Sequence, residues 1–138
     1  MSGYVTFVVE NREMAGPLLQ VQEVVRAVGI EPMIGARAPV TGLLVLRGLP
    51  MPVVDLRSGA EFGDAGDVLV LAPDGAGAVG LAVDRVLAVL GPDDLTPLGA
   101  EERRLAGLPP YVEEVRRDAG GRPVLVVTLR RLAGLVPA

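Results

Sequence analysis

Short apolar runs separated by polar or glycine-bearing segments are the main pattern of this chain. Residues 4–10 alternate apolar and polar side chains, which is typical of a half-buried strand. Residues 68–71 form a continuous apolar run that predicts a central strand, and a glycine-bearing turn at 74–77 leads into a return strand at 78–83. Further strands are predicted at residues 14–19, 111–117 and 123–128. The pattern gives nine or ten short strands and indicates a sandwich or barrel.

The stretch at residues 41–57, TGLLVLRGLPMPVVDLR, organises the rest of the chain. Its two apolar runs predict a hairpin, with the turn extending past Gly48 through Pro50 and Pro52. Arg47 then lies at the tip, where its five donors stand beside a glycine that another protein can approach. The alternative is structural: Arg47 covers the end of a strand or pairs with Asp55.

Helical structure is expected only in short turns. Residues 101–106 place acidic side chains first and arginines later, which suits one turn of helix. Thr128 is a candidate cap for a short helix at the end of the chain, with Leu129 and Leu132 buried. Residues 29–39 and 91–99 are rich in glycine and proline and are expected to be loops.

Composition narrows the chemistry. The 138 residues contain no cysteine and no histidine, apolar residues make up 50% and aromatic residues 3%, and the net charge is −4. We expect one domain over residues 1–138 with a core of valine, leucine and alanine. No targeting signal or membrane-length apolar run is visible, so we expect a cytoplasmic protein without direct membrane insertion.

Catalysis is not expected. Neither Ser2 nor Ser58 lies in a nucleophile-elbow sequence, and no histidine is present to activate either of them. The glycine-rich turns lack the lysine and hydroxyl residue of a phosphate-binding loop. No catalytic residue, metal site or cofactor is therefore predicted. A nucleic-acid-binding β-barrel is one alternative, but it needs stacking aromatics and a basic groove. A passive structural protein is the other.

Two segments carry a family resemblance. Residues 42–48 (GLLVLRG) continuing to 53–57 (VVDLR), and residues 80–86 (GLAVDRV), closely resemble the signatures of CheW-like domains, and the likeness extends from about Tyr4 to about Leu135. The resemblance implies a mainly all-β fold of two small SH3-like five-stranded β-barrels packed around a shared apolar core, with short helical turns.

The resemblance also implies a function without catalysis. A CheW-like protein couples the cytoplasmic tip of a methyl-accepting chemoreceptor to the regulatory domain of a CheA-type histidine kinase, and the role is compatible with array assembly. The implied kinase-binding residues are Val21 and Glu23, which share a face in extended chain. The implied receptor-binding residues, in the groove between the barrels, are Gly42, Val45, Arg47 and Gly48. Since Arg47 and Glu23 belong to different segments, kinase and receptor binding are expected to be separable.

The chain departs from the family pattern at two positions of this hairpin. Val45 replaces the usual polar residue before Leu-Arg-Gly, which removes a hydrogen-bonding group from the implied receptor patch. Pro50 stands where the family usually has a backbone donor. Residues 29–39 are also weakly matched. These departures concern the identity of the receptor.

Overall fold

The computed structural model describes residues 3–32, 40–55, 66–71, 77–98 and 111–129. Within these ranges one 3₁₀ turn covers Leu18–Gln20, and the segments at 101–106 and beyond 129, where helical turns are predicted, lie outside them. The strands are β1 (Tyr4–Val9), β2 (Arg12–Pro17), β3 (Val21–Arg26), β4 (Glu31–Pro32), β5 (Val40–Leu46), β6 (Leu49–Asp55), β7 (Asp67–Leu71), β8 (Val79–Val83), β9 (Arg85–Leu90), β10 (Thr96–Pro97), β11 (Val112–Arg117) and β12 (Pro123–Val127).

The strands form two six-stranded sheets. Sheet A has the order β10-β11-β12-β2-β1-β9, and sheet B has the order β3-β7-β8-β6-β5-β4. The prediction of two small β units is confirmed, whereas the expected five strands per unit is corrected to six. The two-residue strands β4 and β10, too short to carry a sequence pattern, account for this difference. In the described part of the chain the pairing order of each sheet is open, without ladder closure into a barrel.

The two sheets have the same topology, circularly permuted. Each contains one parallel pair, β2 with β12 in sheet A and β8 with β6 in sheet B, and the remaining neighbours are antiparallel. If sheet A is read in the chain order β9, β10, β11, β12, β1, β2, its pairing matches that of β3 to β8 in sheet B position by position. The chain therefore builds one β unit twice. In sheet A the last two strands of the unit, β1 and β2, come from the beginning of the chain.

The core consists of three apolar clusters, one between the two sheets and one on the side of each sheet. The shared core lies between them and takes Val5, Phe7, Val9, Met14, Val127 and Leu129 from sheet A and its C-terminal end, and Val54, Leu69, Leu71, Val79, Leu81 and Val83 from sheet B. The A-side core contains Tyr4, Ala15, Leu95, Val124 and Val126, and the B-side core contains Leu44, Met51, Val53, Val68, Val70 and Ala82. The expected shared apolar core is therefore present.

Central strands face apolar cores on both sides, which explains their continuous apolar sequences. Along β7, Val68 and Val70 face the B-side core, whereas Leu69 and Leu71 face the shared core. The expectation that residues 4–10 form a half-buried strand was wrong. Thr6 on β1 is only 1% exposed, and its hydroxyl donates a hydrogen bond to the Ala88 carbonyl oxygen at 3.3 Å.

Two aspartates tie sheet B to sheet A. Asp84 is the single residue between β8 and β9; its N–H donates to the Val8 carbonyl at 2.9 Å, and its Oδ2 accepts from the Glu10 N–H at 2.7 Å. Asp67, at the start of β7, accepts at Oδ2 from the N–H of Val86 on β9 at 2.8 Å. These bonds fix the point at which the chain passes from one sheet to the other.

Candidate protein-binding site

The β5–β6 hairpin turns on two residues, Arg47 and Gly48. Their φ angles are 49° and 80°, and positive φ at both central positions defines a type I′ turn, the connection whose twist suits a two-residue hairpin. The expectation of a longer turn reaching through Pro50 and Pro52 was wrong, because both prolines lie in β6. Arginine is unusual at such a backbone angle, so this turn holds Arg47 in a conformation that asparagine or glycine would adopt more readily.

The prolines fit β6 because of the register. Leu46 and Leu49 flank the two-residue turn and so form a hydrogen-bonded pair, and antiparallel pairs alternate between bonded and non-bonded. Val45 opposite Pro50 is then a non-bonded pair, and Pro52, opposite Leu43, is in another. Each proline nitrogen points away from β5, so no ladder hydrogen bond is lost. The missing backbone donor at position 50 therefore leaves the β5–β6 pairing intact.

Arg47 reaches across sheet B to Glu23 on β3. Its guanidinium donates to both carboxylate oxygens, with NH1 to Oε2 at 3.1 Å and NH2 to Oε1 as the second contact. The Arg47 side chain is 65% exposed and the Glu23 side chain 29% exposed, so the pair lies at the surface. The hydrogen bond that Arg47 donates lowers the pKa of the Glu23 carboxyl below its ordinary value. Arg47 thus pairs with Glu23 and not with Asp55, the partner considered from the sequence.

The pair joins strands that are far apart in sheet B. β3 is one edge of the sheet, and β5 is next to the other edge. Val25 of β3 packs against the same B-side core as Leu46 of β5. Side chains therefore bring these ends together where the strand ladder does not, and the Glu23–Arg47 pair spans the rim of that closure.

Val21 and Glu23 do not share a face. The β3–β7 register pairs Val21 with Leu71 but Glu23 with Val70, and this irregularity places one extra residue in β3. Val21 packs against the shared core, as Leu71 does, whereas Glu23 follows Val70 to the B side. The two implied kinase-binding residues are therefore presented differently, and the even spacing that predicted a common face was misleading because of the bulge.

The implied receptor-binding residues differ in accessibility. Gly42 is buried in β5 between Pro32 of β4 and Val53 of β6, so in this conformation its backbone is covered. Val45 is 62% exposed, opposite Pro50, and Gly48 is exposed, with nothing within 4 Å of the position that a Cβ would take. The hairpin brings Val45, Arg47 and Gly48 to the surface together, while Gly42 has a structural position.

The structure exposes apolar side chains near this site that the sequence did not single out. Val24 on β3 is 44% exposed, and Leu49, directly after the turn, is 71% exposed. With Val45, they are exposed apolar side chains on the strands that carry Glu23 and Arg47 or adjoin the turn. Exposed and half-buried positions alternate along β3, so alternation counted from Val21 is the signal that could have indicated Val24.

The chemistry of the described residues is that of a binding surface. No group of three histidine, cysteine, aspartate or glutamate side chains among them is arranged to hold a metal ion. Every buried side-chain nitrogen or oxygen atom in those ranges has a hydrogen-bond partner. None of the helices in the described segments has the length and hydrophobicity of a membrane span.

Comparisons with known proteins agree with this architecture. The family model of the CheW-like domain matches residues 3–136. Among solved structures, the scaffolding protein TtCheW from Thermoanaerobacter tengcongensis superimposes with a TM-score of 0.71 at 21% sequence identity, over 91% of this chain and 88% of that chain. No curated protein sequence matches. At this identity the structural likeness shows the fold, and the family match is the more specific finding.

Proposed function

Since the chain belongs to the CheW-like domain family, we propose that it links the cytoplasmic tip of a chemoreceptor to the regulatory domain of a CheA-type histidine kinase. Family membership indicates the coarser role, that of a coupling or scaffolding protein in chemotaxis signalling. In the proposed role the protein works in the cytoplasm, catalyses no reaction, and takes part in receptor–kinase arrays.

The observation that carries the proposal is the family match over residues 3–136. The hairpin geometry supports it, because Arg47 stands at the exposed tip of a two-residue turn with Val45 beside it. A rigid hairpin that presents one cation and one apolar side chain suits recognition of a protein surface. Two weak contacts on one scaffold raise the affinity of the whole through effective concentration.

We assign kinase binding to Val21 and Glu23, and receptor binding to Val45, Arg47 and Gly48. Gly42 remains in the proposed receptor patch as the buried position that sets the path of β5. Because Val45 replaces a residue that is usually polar in the family, its receptor should offer an apolar contact there. This is the feature in which the chain's partner should differ from the partners of other family members.

The Glu23–Arg47 pair changes the expectation of separable binding. A charge reversal, Glu23→Arg, would place two guanidinium groups side by side and displace Arg47, so it would disturb both patches. Glu23→Gln is the better variant, since it keeps the shape and removes the charge. We expect it to weaken kinase binding directly and receptor binding to a lesser extent, through the loss of the contact that orients Arg47.

The test is a pair of calorimetric titrations against an isolated kinase regulatory domain and a receptor-tip hairpin fragment. Val45→Thr keeps a β-branched strand residue but makes it polar. Complete burial of valine is worth about 1.5 to 3 kcal/mol, and the exposed part of Val45 accordingly about 1 to 2 kcal/mol. We expect Val45→Thr to lower receptor affinity by up to that amount and to leave kinase affinity unchanged.

Glu113→Gln is the matched control for Glu23→Gln, because Glu113 is an exposed carboxylate on β11 of sheet A. It should change neither affinity. If the unaltered chain binds neither fragment with micromolar affinity, the proposed function is refuted. Equal losses for both fragments in Val45→Thr would refute the assignment of the patches while leaving the coupling role in place.

A further inference from the structure

Sheet A has a groove, whereas the β5–β6 hairpin belongs to sheet B. The groove is open to solvent, has a volume of about 440 Å³, and runs beside β9. We call it the β9 groove and define it by an apolar floor of Leu87, Ala88 and Leu90 and by three carboxylate side chains, Glu13, Asp94 and Asp118. The groove therefore combines an apolar floor with an acidic wall.

The floor of the β9 groove results from a bulge. In the β1–β9 register Thr6 is opposite Ala88 but Phe7 is opposite Val86, so Leu87 is an extra residue in β9. The register directs Ala88 with Thr6 away from the shared core, while Val86 packs against that core. Leu87 is 42% exposed. The bulge thus turns apolar side chains of one strand toward the groove.

β9 also has an unpaired edge in the part of the chain that the structure describes. It is the last strand of sheet A and pairs there only with β1. An edge strand presents N–H and C=O groups to which a further strand can add, and pockets beside the edge then take alternate side chains of that strand. The β9 groove is such a pocket.

Two of the groove carboxylates, those of Asp94 and Asp118, accept backbone hydrogen bonds, and the third, that of Glu13, is repelled by Asp118. Asp118 Oδ1 accepts the N–H groups of Gly120 and Arg122, both at 2.9 Å, and Asp94 Oδ2 accepts that of Gly91 at 2.6 Å. Burial, and next the negative charge of Asp118, raise the pKa of Glu13, while the positive charge of Arg122 lowers it. A cation entering the groove would relieve this repulsion.

We propose that the β9 groove binds an extended segment of a partner protein that inserts one arginine or lysine side chain. Such a side chain has an apolar stem to cover Leu87, Ala88 and Leu90 and a cationic end to place among the carboxylates. The main chain of the segment adds to the edge of β9 beyond Val86, whose N–H already donates to Asp67. This surface is on sheet A and is separate from the kinase and receptor patches proposed on sheet B.

The charge of the groove favours this occupant over others. Three carboxylates repel the phosphates of a nucleic acid or of an anionic membrane surface. The described residues do not arrange these carboxylates as a metal site. A basic side chain flanked by apolar residues satisfies both parts of the lining.

The experiment uses the full chain and a short capped peptide of alternating threonine and valine with one central arginine. Binding is followed by NMR of the backbone amides. We expect the amide signals of β9 and Glu13 to shift saturably as the peptide is added. The affinity of the peptide should be lower at high salt. The same peptide with citrulline, the neutral analogue of arginine, should bind more weakly by up to about fivefold, the upper end of the range for the loss of one exposed ion pair. Glu13→Gln should lower the affinity for the arginine peptide by a similar factor and leave the affinity for the citrulline peptide unchanged.

Glu13→Gln is preferred to changes at Asp94 or Asp118, since those carboxylates also hold turns. Glu113→Gln, on the exposed side of β11, is the control and should bind as the unaltered chain does. Equal affinity for the arginine and citrulline peptides, or shifts confined to sheet B, would overturn the proposal.

Discussion

Gly80 is a buried core position where the structure predicts a clear effect of a single added methyl group. It lies buried in β8 between β6 and β7. A Cβ added there would be 2.8 Å from Val68 Cγ1 and 2.9 Å from Met51 Cε, whereas carbon atoms in ordinary contact are about 3.5 to 4.0 Å apart. The methionine end can move, but valine is stiff at χ1, so the strands must separate.

We therefore expect Gly80→Ala to destabilise the protein. Overpacking of this kind costs about 1 to 3 kcal/mol. At about 2 to 4 °C per kcal/mol for a chain approaching 150 residues, the midpoint of thermal unfolding should fall by about 2 to 12 °C. Urea unfolding followed by circular dichroism measures the free energy directly. Because Met51 is on β6, the strand that continues from the Arg47–Gly48 turn, receptor-fragment binding should weaken as well.

Gly77→Ala is the control, since nothing lies within 4 Å of its added Cβ. Both substitutions restrict the unfolded chain equally, so their difference isolates the clash. Adding Val68→Ala to Gly80→Ala should cost less than the sum of the single effects, with a coupling of about 0.5 kcal/mol or more. Equal stability of Gly80→Ala and Gly77→Ala, or strict additivity, would refute this explanation of the glycine.

Three further predictions concern the turn, the ion pair and the shared core. Arg47→Asn should be more stable than Arg47→Ala by about 1 kcal/mol in urea, because asparagine accepts positive φ; the reverse order would contradict the turn assignment. Glu23→Gln should lose stability at pH 7 relative to the unaltered chain, and the difference should disappear as the pH falls through the lowered pKa of Glu23, below 4.5; a difference that persists at low pH would contradict the pair. Phe7→Ala, at a side chain with no exposure, should cost about 3 to 5 kcal/mol and leave one unfolding transition, whereas separate transitions would show that the sheets fold independently.

Strand positions are largely local information, so the sequence predicted them well. The runs at residues 68–71, 111–117 and 123–128 correspond closely to β7, β11 and β12. The strand predicted at 14–19 is β2, shifted to Arg12–Pro17 because a 3₁₀ turn follows Pro17. Apolar runs ending at glycine-rich turns are sufficient for this level of description.

Burial on both faces was not predictable from the alternation in β1. Thr6 appears polar and therefore solvent-facing, yet the A-side core covers that face of the strand. Only the packing of one sheet on the other and the curl of each sheet on itself bury both sides. The fold as two units on a shared core came from the family resemblance and not from the alternation.

The candidate site shows the same limit more clearly. Placing Arg47 at a hairpin tip required only the local sequence. Its partner Glu23 is 24 residues away, on the opposite side of sheet B, and no spacing rule connects the two. The bulge that separates the faces of Val21 and Glu23 is likewise set by pairing with β7. Contacts of this kind depend on the register of distant strands.

The central claim is that one chain holds a receptor and a kinase at the same time. An immobilised receptor-tip fragment should retain the isolated kinase regulatory domain only when this chain is added, with Glu113→Gln as active as the unaltered chain and Arg47→Asn less active. Retention of the kinase domain in the absence of the chain would contradict the claim. So would competition, in which the kinase domain releases the chain from the receptor fragment.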